Sequence, residues 1–370
     1  MKVFCPDCGT QATLAPKTWR CQCGGAWEAV LPDTFDPALI DTAETSVWRY
    51  KRLYGLDFDT PKIVMGAGWT PLLPLKLNDT SVFVKPEYFA PTASFKDRGT
   101  ELMVNILLHQ GVNHIAEDSS GNAGASVAAF AARAGIKAEI FVPAHASPAK
   151  QAQIAIYGAN VNPIPGPRVN AKLAAIEMVE KEDVILASHA FHPGFLLGQQ
   201  SVAYELWEQL GRRAPDWYIV PVGQGVHLLG VWLGFKRLFA AGLTDRIPHM
   251  VGVQAALLAP LCRAFEAGLE TVPNLDPLGT SLAEGLAIAQ PVRGRRLLQA
   301  VRDSQGTCVM VDEDEIRAAR QDMAAHGFYI EPTSATAIAA LKHVEGLIKP
   351  TDTVVIPLTG SGLKGSPVLP

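Results

Sequence analysis

Residues 91–100, "PTASFKDRGT", place one lysine, Lys96, among small, hydroxyl and charged residues just before an apolar helical pattern, "ELMVNILLHQG". Thr92 or Ser94 is in position to cap the first turn of that helix. Taken alone, Lys96 is most simply an ordinary solvated surface lysine. Whether it has a function depends on the residues that accompany it in the rest of the chain.

The length and composition are those of a globular protein of enzyme size. The chain has 370 residues, of which 48% are hydrophobic and 18% charged, so two domains or lobes around a large core are expected. A net charge of −4 and a pI near 6.1 argue against nucleic acid as a partner. No apolar run is long enough to predict a membrane span, and the first residues lack the apolar stretch of a secretory signal. We therefore expect no membrane partner and a cytoplasmic location.

Short β-branched runs alternate with longer Ala-rich or amphipathic segments from about residue 80 onward. We expect strands at "SVFVKPE", "HIAEDSS", "AEIFVPA", "DVILASH", "DWYIVPVG", "HMVGVQA" and "DTVVIPLTG", and helices at "NAGASVAAFAARAG", "PAKQAQIAIYGA", "QSVAYELWEQLG" and "EDEIRAARQDMAA". This alternation predicts an α/β fold with a mostly parallel sheet. Ligands of such folds bind beyond the carboxyl ends of the strands.

Most of the cysteines are clustered at the start of the chain, in a C-x2-C pair, a gap of 12 residues and a C-x-C pair: Cys5, Cys8, Cys21 and Cys23. In a reducing compartment such a cluster more often binds a metal than forms disulfides. The pattern predicts a zinc-ribbon-like segment over residues 1–30 with one structural zinc held by four thiolates, which leaves no open position for catalysis. A degenerate ribbon without metal is the alternative. The isolated Cys262 and Cys308 are interpreted as core residues.

Three further segments combine small and polar residues at the point where a predicted strand ends. They are "SSGNAGAS" (119–126), "PVGQGVHLLG" (221–230) and "PLTGSGLKG" (357–365). Glycine lets a ligand approach the backbone, and free N–H groups at a helix start attract phosphate. Each segment is weak evidence alone, because Gly-rich turns before helices are common. Together with Lys96 they match pyridoxal phosphate, which needs an amine, a phosphate site and hydrogen bonds to its ring.

Over nearly its whole length the chain resembles the threonine synthase family of fold-type II pyridoxal-phosphate-dependent enzymes. The resemblance is carried, in order, by "SFKDRG", "SSGNAG", "GQQSVAYELWEQLG", "VPVGQG", "AEGLAIAQP", "EPTSATAIAAL" and "LTGSGLK", and it includes the N-terminal ribbon. It implies an α/β fold of two lobes, each with a mostly parallel sheet flanked by helices. The catalytic core would span 31–370, with a smaller lobe of roughly 98–195 inserted in the larger one. The family is usually homodimeric.

The resemblance also implies a role for individual residues. Lys96 would bind the cofactor covalently and then move the α-proton of the substrate. Asn122 would hydrogen-bond the phenolic oxygen of the cofactor, and Thr359 would face its pyridine nitrogen. The backbone of Gly223, Gln224, Gly225 and Val226 would bind the 5′-phosphate. Ser119, Ser120 and His189 are the expected substrate-binding residues, although capping of the following helix also explains the two serines.

One segment departs from the family pattern, and it bears on the substrate. Family members commonly bind the phosphate of O-phosphohomoserine with N-S-x-N-P-x-R before "GQ", whereas this chain reads "SHAFHPGFLLGQQ". The Asn, Ser and Arg positions are His189, Ala190 and Phe195, so the strongest bidentate phosphate contact is lost. If protonated, His189 and His192 could supply part of the missing charge.

The sequence therefore predicts a pyridoxal-phosphate-dependent carbon–oxygen lyase that eliminates or replaces a group at Cβ or Cγ of a small amino acid. The first candidate reaction converts O-phosphohomoserine to threonine and phosphate. The alternative is a β-eliminating or β-replacing lyase, such as a dehydratase, ammonia-lyase or synthase, whose substrate carries no phosphate. A non-catalytic binding protein is disfavoured, because Lys96, Asn122 and Thr359 are all present.

Overall fold

The structure is a computed structural model that describes residues 1–77, 79–146 and 148–365. The described chain divides into two compact units. Unit 1 contains Met1–Gly68, Ala90–Gly198 and residues 364–365, and unit 2 contains Trp69–Phe89 and Gln199–Leu363. No helix within the described ranges is both long and apolar enough to cross a membrane.

The elements are numbered in chain order. The strands are β1 (Lys2–Phe4), β2 (Gln11–Thr13), β3 (Glu28–Ala29), β4 (Leu73–Leu77), β5 (Thr80–Pro86), β6 (His114–Glu117), β7 (Lys137–Pro143), β8 (Asn160–Ile164), β9 (Ile185–Leu186), β10 (Trp217–Pro221), β11 (His249–Ala255), β12 (Thr307–Val311) and β13 (Val354–Leu358). The helices are α1 (Lys96–His109), α2 (Asn122–Ala134), α3 (Pro148–Ala155), α4 (Arg168–Lys181), α5 (Pro193–Gln209), α6 (Val226–Ala240), α7 (Pro260–Glu266), α8 (Gly294–Asp303), α9 (Glu313–Ala325) and α10 (Pro332–Val344).

Unit 1 contains two sheets. The first 30 residues form a small antiparallel sheet in the order β2-β1-β3. The larger sheet has the order β8-β7-β6-β9 and is parallel throughout. Helices α2 and α4 pack on β7, and α1 packs on α2. Strands β6 and β9 are neighbours, so the residues that follow them emerge side by side at the same edge of the sheet.

Unit 2 is built around a six-stranded sheet in the order β12-β11-β10-β13-β5-β4, in which only the β4–β5 pair is antiparallel. Strands β10 and β13 are buried along their whole length. Their continuous apolar runs, "WYIVP" and "VVIPL", are typical of central parallel strands with both faces covered. The turns after these two strands carry the candidate residues of this unit.

The α/β fold and the mostly parallel sheets are confirmed, and each strand and helix named from the sequence occurs. The predicted domain limits, 1–30, 31–370 and 98–195, stay predictions. The four-stranded sheet lies in a stretch of unit 1 that spans Ala90–Gly198, and this unit also includes Met1–Gly68. Residues 366–370 of the predicted core lie outside the described residues.

Candidate active site

Lys96 is the first residue of α1, and it is half-buried. The sequence predicted that Thr92 or Ser94 would cap this helix, which is wrong: the N-cap is Phe95, and no side chain caps the first turn. Within the described chain the buried hydroxyl of Ser94 has no hydrogen-bond partner. The segment before Lys96 is therefore fixed by other contacts.

Those contacts centre on the buried carboxyl of Asp97. It accepts hydrogen bonds from the backbone N–H and the hydroxyl of Thr92, each at 2.6 Å, and from the hydroxyl of Ser126 in α2, also at 2.6 Å. Burial raises the pKa of Asp97, and these hydrogen bonds act in the opposite direction. The Nζ of Lys364 donates to the carbonyl of Thr92 at 2.6 Å. The backbone on both sides of Lys96 is thus held by buried polar groups.

The turn of residues 119–122 connects β6 to α2. The backbone N–H of Gly121 donates to the hydroxyl of Ser119 at 3.4 Å, and no side chain caps the first turn of α2, which begins at Asn122. A Cβ at Gly124 would collide with the carbonyl oxygen of Ser119, so only glycine allows the turn to fold back onto the helix. Ser120 and Asn122 are half-buried. The turn therefore offers N–H groups and polar side chains suited to an anionic group.

His189 follows β9 and contacts Glu117, the last residue of β6. Its Nδ1 lies 2.5 Å from one oxygen of the Glu117 carboxyl, and its backbone N–H donates to the other at 3.2 Å. Burial raises the pKa of Glu117 to about 8, and burial together with the positive charge of Lys96 lowers the pKa of His189 to about 3. His189 is therefore uncharged near neutral pH and does not replace the lost arginine charge.

Phe195, at the position where the family pattern has arginine, is completely buried. Its ring packs edge-on against the imidazole of His189, with 5.9 Å between the ring centroids. It also fills the space beside Gly99, where an added Cβ would lie 2.6 Å from the phenylalanine ring. The position is therefore apolar and closely packed, and it presents no group that binds phosphate.

The turn of residues 223–226 in unit 2 leads from β10 into α6. A Cβ at Gly223 would lie 2.7 Å from the carbonyl oxygen of Gly285, and Gly225 has a φ of +73°. No side chain caps the first turn of α6, which begins at Val226. The Gln224 side chain is turned away to accept a hydrogen bond from the N–H of Val292 at 3.0 Å. The backbone of this turn thus forms a glycine-dependent cradle at a helix N-terminus, which fits a phosphate group.

His227, which stands in this chain beside the predicted phosphate cradle, is a buried packing residue. Its Nε2 lies 2.8 Å from the hydroxyl of Tyr218, and its Nδ1 lies 2.8 Å from the side-chain oxygen of Gln199. An amide oxygen only accepts, so Nδ1 carries the proton and Nε2 accepts from the tyrosine. Both ring nitrogens are thus hydrogen-bonded inside unit 2, which gives His227 a structural role.

Thr359 lies just beyond β13 and is buried within a chain of hydrogen bonds. Its hydroxyl donates to the carboxylate of Glu331 at 2.8 Å and lies 2.9 Å from the hydroxyl of Ser334, which accepts from the N–H of Gly360 at 3.2 Å. A hydroxyl has one proton. Since Thr359 donates to Glu331, Ser334 must donate to Thr359. Thr359 is therefore left with acceptor capacity and no second proton.

The four N-terminal cysteines are close together in space. Their sulfur atoms all lie within 4.8 Å of one another, with 3.5 Å between Cys5 and Cys23 and 3.6 Å between Cys8 and Cys21. Tetrahedral zinc with Zn–S bonds near 2.3 Å requires sulfur atoms about 3.8 Å apart. A Cβ at Gly25 would lie 2.8 Å from the sulfur of Cys5. The arrangement fits one tetrahedral zinc ion.

Two acidic partners of the site residues, Glu117 and Glu331, were not predicted from the sequence. Both lie within segments recognised from the sequence, "HIAEDSS" and "EPTSATAIAAL", but neither was identified as a site residue. For Glu117 a signal existed: two adjacent acids, Glu117 and Asp118, stand at the end of the short strand β6, directly after the apolar Ile115 and Ala116. Acidic residues in such a position are rarely without a partner.

Comparison with known proteins identifies the class of enzyme. The family model described as "Pyridoxal-phosphate dependent enzyme" matches residues 63–360. Threonine synthase of Methanocaldococcus jannaschii is 32% identical over 97% of this chain and 92% of its own length, and that of Methanosarcina acetivorans is 32% identical over 97% and 91%. Among solved structures, a threonine deaminase from T.th. is 26% identical, with a TM-score of 0.69, over 80% of this chain and 94% of that one.

The fold and cofactor class are thus those of fold-type II pyridoxal-phosphate-dependent enzymes. Within this class, the chain belongs to the threonine synthase family. It is a pyridoxal-phosphate-dependent carbon–oxygen lyase of amino-acid metabolism, as the sequence predicted.

Proposed function

We propose that the protein eliminates or replaces a group bound through oxygen at Cβ or Cγ of a small amino acid. The observation that carries this proposal is the placement of Lys96. A half-buried amine begins α1, and buried polar contacts around Asp97 fix the backbone beside it. An amine in such surroundings is suited both to covalent attachment of an aldehyde and to proton transfer.

The binding roles proposed for this chain follow from the groups that each turn presents. The N–H groups of residues 223–226 bind the phosphate of the cofactor, and the side-chain amide of Asn122 donates to its phenolic oxygen. Ser119, Ser120 and the N–H groups at the start of α2 receive the carboxylate of the substrate. Pyridoxal phosphate, when bound, supplies the electron sink that stabilises negative charge at Cα. Lys96 removes and holds the proton from Cα.

Thr359 is proposed to face the pyridine nitrogen of the cofactor as an acceptor. A hydroxyl partner alone would leave that nitrogen unprotonated and the ring a milder electron sink. The bond from Thr359 to Glu331 changes this expectation, because the threonine proton is already donated to a carboxylate. Besides its bonds to Glu331 and Ser334, the Thr359 hydroxyl can only accept a hydrogen bond, through its remaining lone pair. This arrangement favours a ring nitrogen that carries its own proton.

Two substrates remain candidates within this function. Identity of 32% to threonine synthases over 97% of the chain supports O-phosphohomoserine, with release of phosphate and formation of threonine. The uncharged His189 and the buried Phe195 support a substrate without phosphate, because neither supplies a cation to the leaving group. Similarity to a threonine deaminase supports the same alternative.

The test of the function is to incubate the purified holoenzyme with O-phosphohomoserine and with L-serine, and to quantify threonine, phosphate and 2-oxo acid. Turnover of at least one substrate is expected, and it should be lost in Lys96→Ala. Because Lys96→Arg keeps the positive charge but cannot bind the aldehyde in the same way, it should be equally inactive. Turnover by either variant at the wild-type rate would contradict the role of Lys96.

Three further features complete the proposal. One zinc ion is bound by Cys5, Cys8, Cys21 and Cys23 and has a structural role, since four thiolates fill its coordination. The enzyme is a homodimer, as the resemblance to its family implies. It works in the cytoplasm, where thiolates are kept reduced and available to a metal.

A further inference from the structure

Glu117 and His189 form a buried acid–imidazole pair at the carboxyl ends of β6 and β9, in the four-stranded sheet of unit 1. Both residues have a relative exposure of 4% or less. The carboxyl contacts His189 twice, through Nδ1 at 2.5 Å and through the backbone N–H at 3.2 Å. Two contacts from one carboxyl fix both the position and the ring orientation of the imidazole. The pair directly precedes the Ser119–Asn122 turn that is proposed to bind the substrate.

The other ring nitrogen of His189, Nε2, has no hydrogen-bond partner among the residues that the structure describes. On one side the imidazole meets the ring of Phe195. Nε2 is therefore available to a ligand while Nδ1 is held by Glu117. A histidine held in this way is suited to general acid–base catalysis.

Three charged residues outside the pair interact with it electrostatically. Lys96 in α1 and Arg168 in α4 act on both Glu117 and His189, and Asp118 lies next to Glu117. The positive charges of Arg168 and Lys172 also act on Asp118. Burial dominates, and it favours the uncharged form of each partner, so near neutral pH Glu117 holds a proton and the imidazole is neutral. The hydroxyl of the Glu117 carboxyl then donates to Nδ1, which puts the proton of the imidazole on Nε2.

We propose that His189 is the general acid that protonates the hydroxyl leaving group of a β-hydroxy amino acid, and that Glu117 positions it and supplies the replacement proton. The Cβ–O bond breaks with its electron pair moving to oxygen, which takes the proton of Nε2 and leaves as water. In the same step Nδ1 takes the proton of Glu117, so the imidazole remains neutral, and the resulting carboxylate regains a proton from solvent. The electron pair of the Cα–H bond forms the new double bond, and that proton passes to Lys96. The inference rests on the proposed function and narrows its substrate class.

A phosphorylated substrate fits this pair poorly. Phosphate leaves readily without a proton and is best bound by cations. The cations whose charge acts on His189 are Lys96, which is proposed to bind the cofactor, and Arg168, which also acts on Asp118 together with Lys172. A hydroxyl group is a poor leaving group unless it is protonated. An acid in a fixed position therefore accelerates the loss of hydroxyl more than the loss of phosphate.

The experiment compares L-serine with O-acetyl-L-serine, whose acetate leaves without protonation. In holoenzyme carrying His189→Asn, which keeps an amide next to Glu117 but removes Nε2, we expect kcat/KM for L-serine to fall by about 10²–10⁴. The value for O-acetyl-L-serine should change little. Glu117→Gln keeps a hydrogen bond to His189 but cannot supply a proton, so it should lose activity on L-serine by a similar factor. Its remaining activity should not show the decline above a pH of about 8 that is expected of wild type. His114→Asn, at the other end of β6 and paired with Glu139, is the matched control.

Equal losses on the ester and the hydroxyl substrate in His189→Asn would mean a structural role only and would overturn the inference. Turnover of O-phosphohomoserine but not L-serine by the wild-type holoenzyme would also overturn it and would leave the proposed function standing. No turnover of any of the three substrates, in protein that shows the visible absorption of bound cofactor, would overturn both. A wild-type preference for L-serine that is lost in His189→Asn and kept in His114→Asn would support it.

Discussion

At the scale of single residues, the hydrogen-bonding role of a side chain is determined by a partner that is distant in the sequence. Thr359 is a neutral hydroxyl, but its proton is donated to Glu331, so it meets a further group as an acceptor. His189 is kept neutral by burial and by the charge of Lys96, and its buried acidic partner Glu117 holds Nδ1. In each case the partner sets which atom carries the proton or the direction of the hydrogen bond, and that decides what the residue can do.

The direction of the hydrogen bond from Thr359 to Glu331 gives a prediction for the pyridine nitrogen of the cofactor. In holoenzyme reconstituted with ¹⁵N-labelled pyridoxal phosphate, the ring nitrogen should show the NMR shift of a protonated nitrogen. Glu331→Leu removes the acceptor and frees the Thr359 proton to point at the ring. Because a hydrogen bond to a charged group contributes about 1.5–3 kcal/mol, the pKa of the ring nitrogen should fall by about 1–2 in this variant.

Ser334→Ala is the matched control for this prediction. It removes the donor to Thr359 but keeps the bond from Thr359 to Glu331, so the ring nitrogen should remain protonated. An unprotonated ring nitrogen in the wild-type holoenzyme would show that Thr359 donates to the ring and that its bond to Glu331 is broken when the cofactor binds.

At the scale of elements, α1 does more than present Lys96. One turn further along, the carboxyl of Glu101 accepts from the indole N–H of Trp48 at 2.7 Å and from the backbone N–H groups of Ala67 and Met65 at 3.0 and 3.3 Å. Four residues later, Asn105 bonds the backbone of Ile63 through both its oxygen and its nitrogen. This i, i+4 pair fixes an irregular segment to the helix within unit 1, because side chains at that spacing share a face.

Glu101→Ala should therefore lower the free energy of unfolding by about 3 kcal/mol or more, because it leaves three donors, two of them buried, without an acceptor. Urea denaturation followed by tryptophan fluorescence would measure the loss. Glu101→Gln retains an acceptor oxygen and should be less destabilising. For comparison, Glu177→Ala, on the exposed face of α4, should stay within about 0.5 kcal/mol of wild type. A similarly small effect for Glu101→Ala would contradict the role assigned to this carboxyl.

At the scale of the whole molecule, sequence order and spatial order diverge. Strand β13, near the end of the chain, lies between β10 and β5, and the six strands come from two separate stretches of sequence. In unit 1, the small sheet of β1, β2 and β3 has strands of three residues or fewer. So few residues bury little surface, and a bound metal is the usual means of stabilising such a segment.

We therefore expect one zinc ion per chain in protein purified without chelator, measured by elemental analysis. Prolonged incubation with a strong chelator should remove it and lower the thermal midpoint, since metal binding contributes directly to folding. Cys21→Ser should abolish stoichiometric zinc, whereas Cys308→Ser, at a buried position of β12, should leave the metal content unchanged. Full zinc occupancy in Cys21→Ser would rule out the four-cysteine site.

Much of the architecture could be predicted because the relevant signals are local. Apolar runs such as "WYIVP" and amphipathic segments such as "EDEIRAARQDMAA" identify strands and helices within about a dozen residues. The cap of α1 could not be predicted in the same way. Thr92 and Ser94 are residue types that commonly cap helices. In the structure, however, the hydroxyl of Thr92 donates to the buried carboxyl of Asp97, which is also bound by Ser126 of another helix.

The sequence by itself determined the α/β alternation, the order of the motifs, the lysine at the start of α1 and the loss of the phosphate-binding arginine. All of these depend on residue type and local spacing. Only the tertiary structure decided that His189 is held by Glu117, 72 residues away, and that the proton of Thr359 goes to Glu331, 28 residues away. The physical reason is that protonation and hydrogen-bond direction depend on burial and on distances of about 3 Å, which folding alone creates between distant parts of the chain.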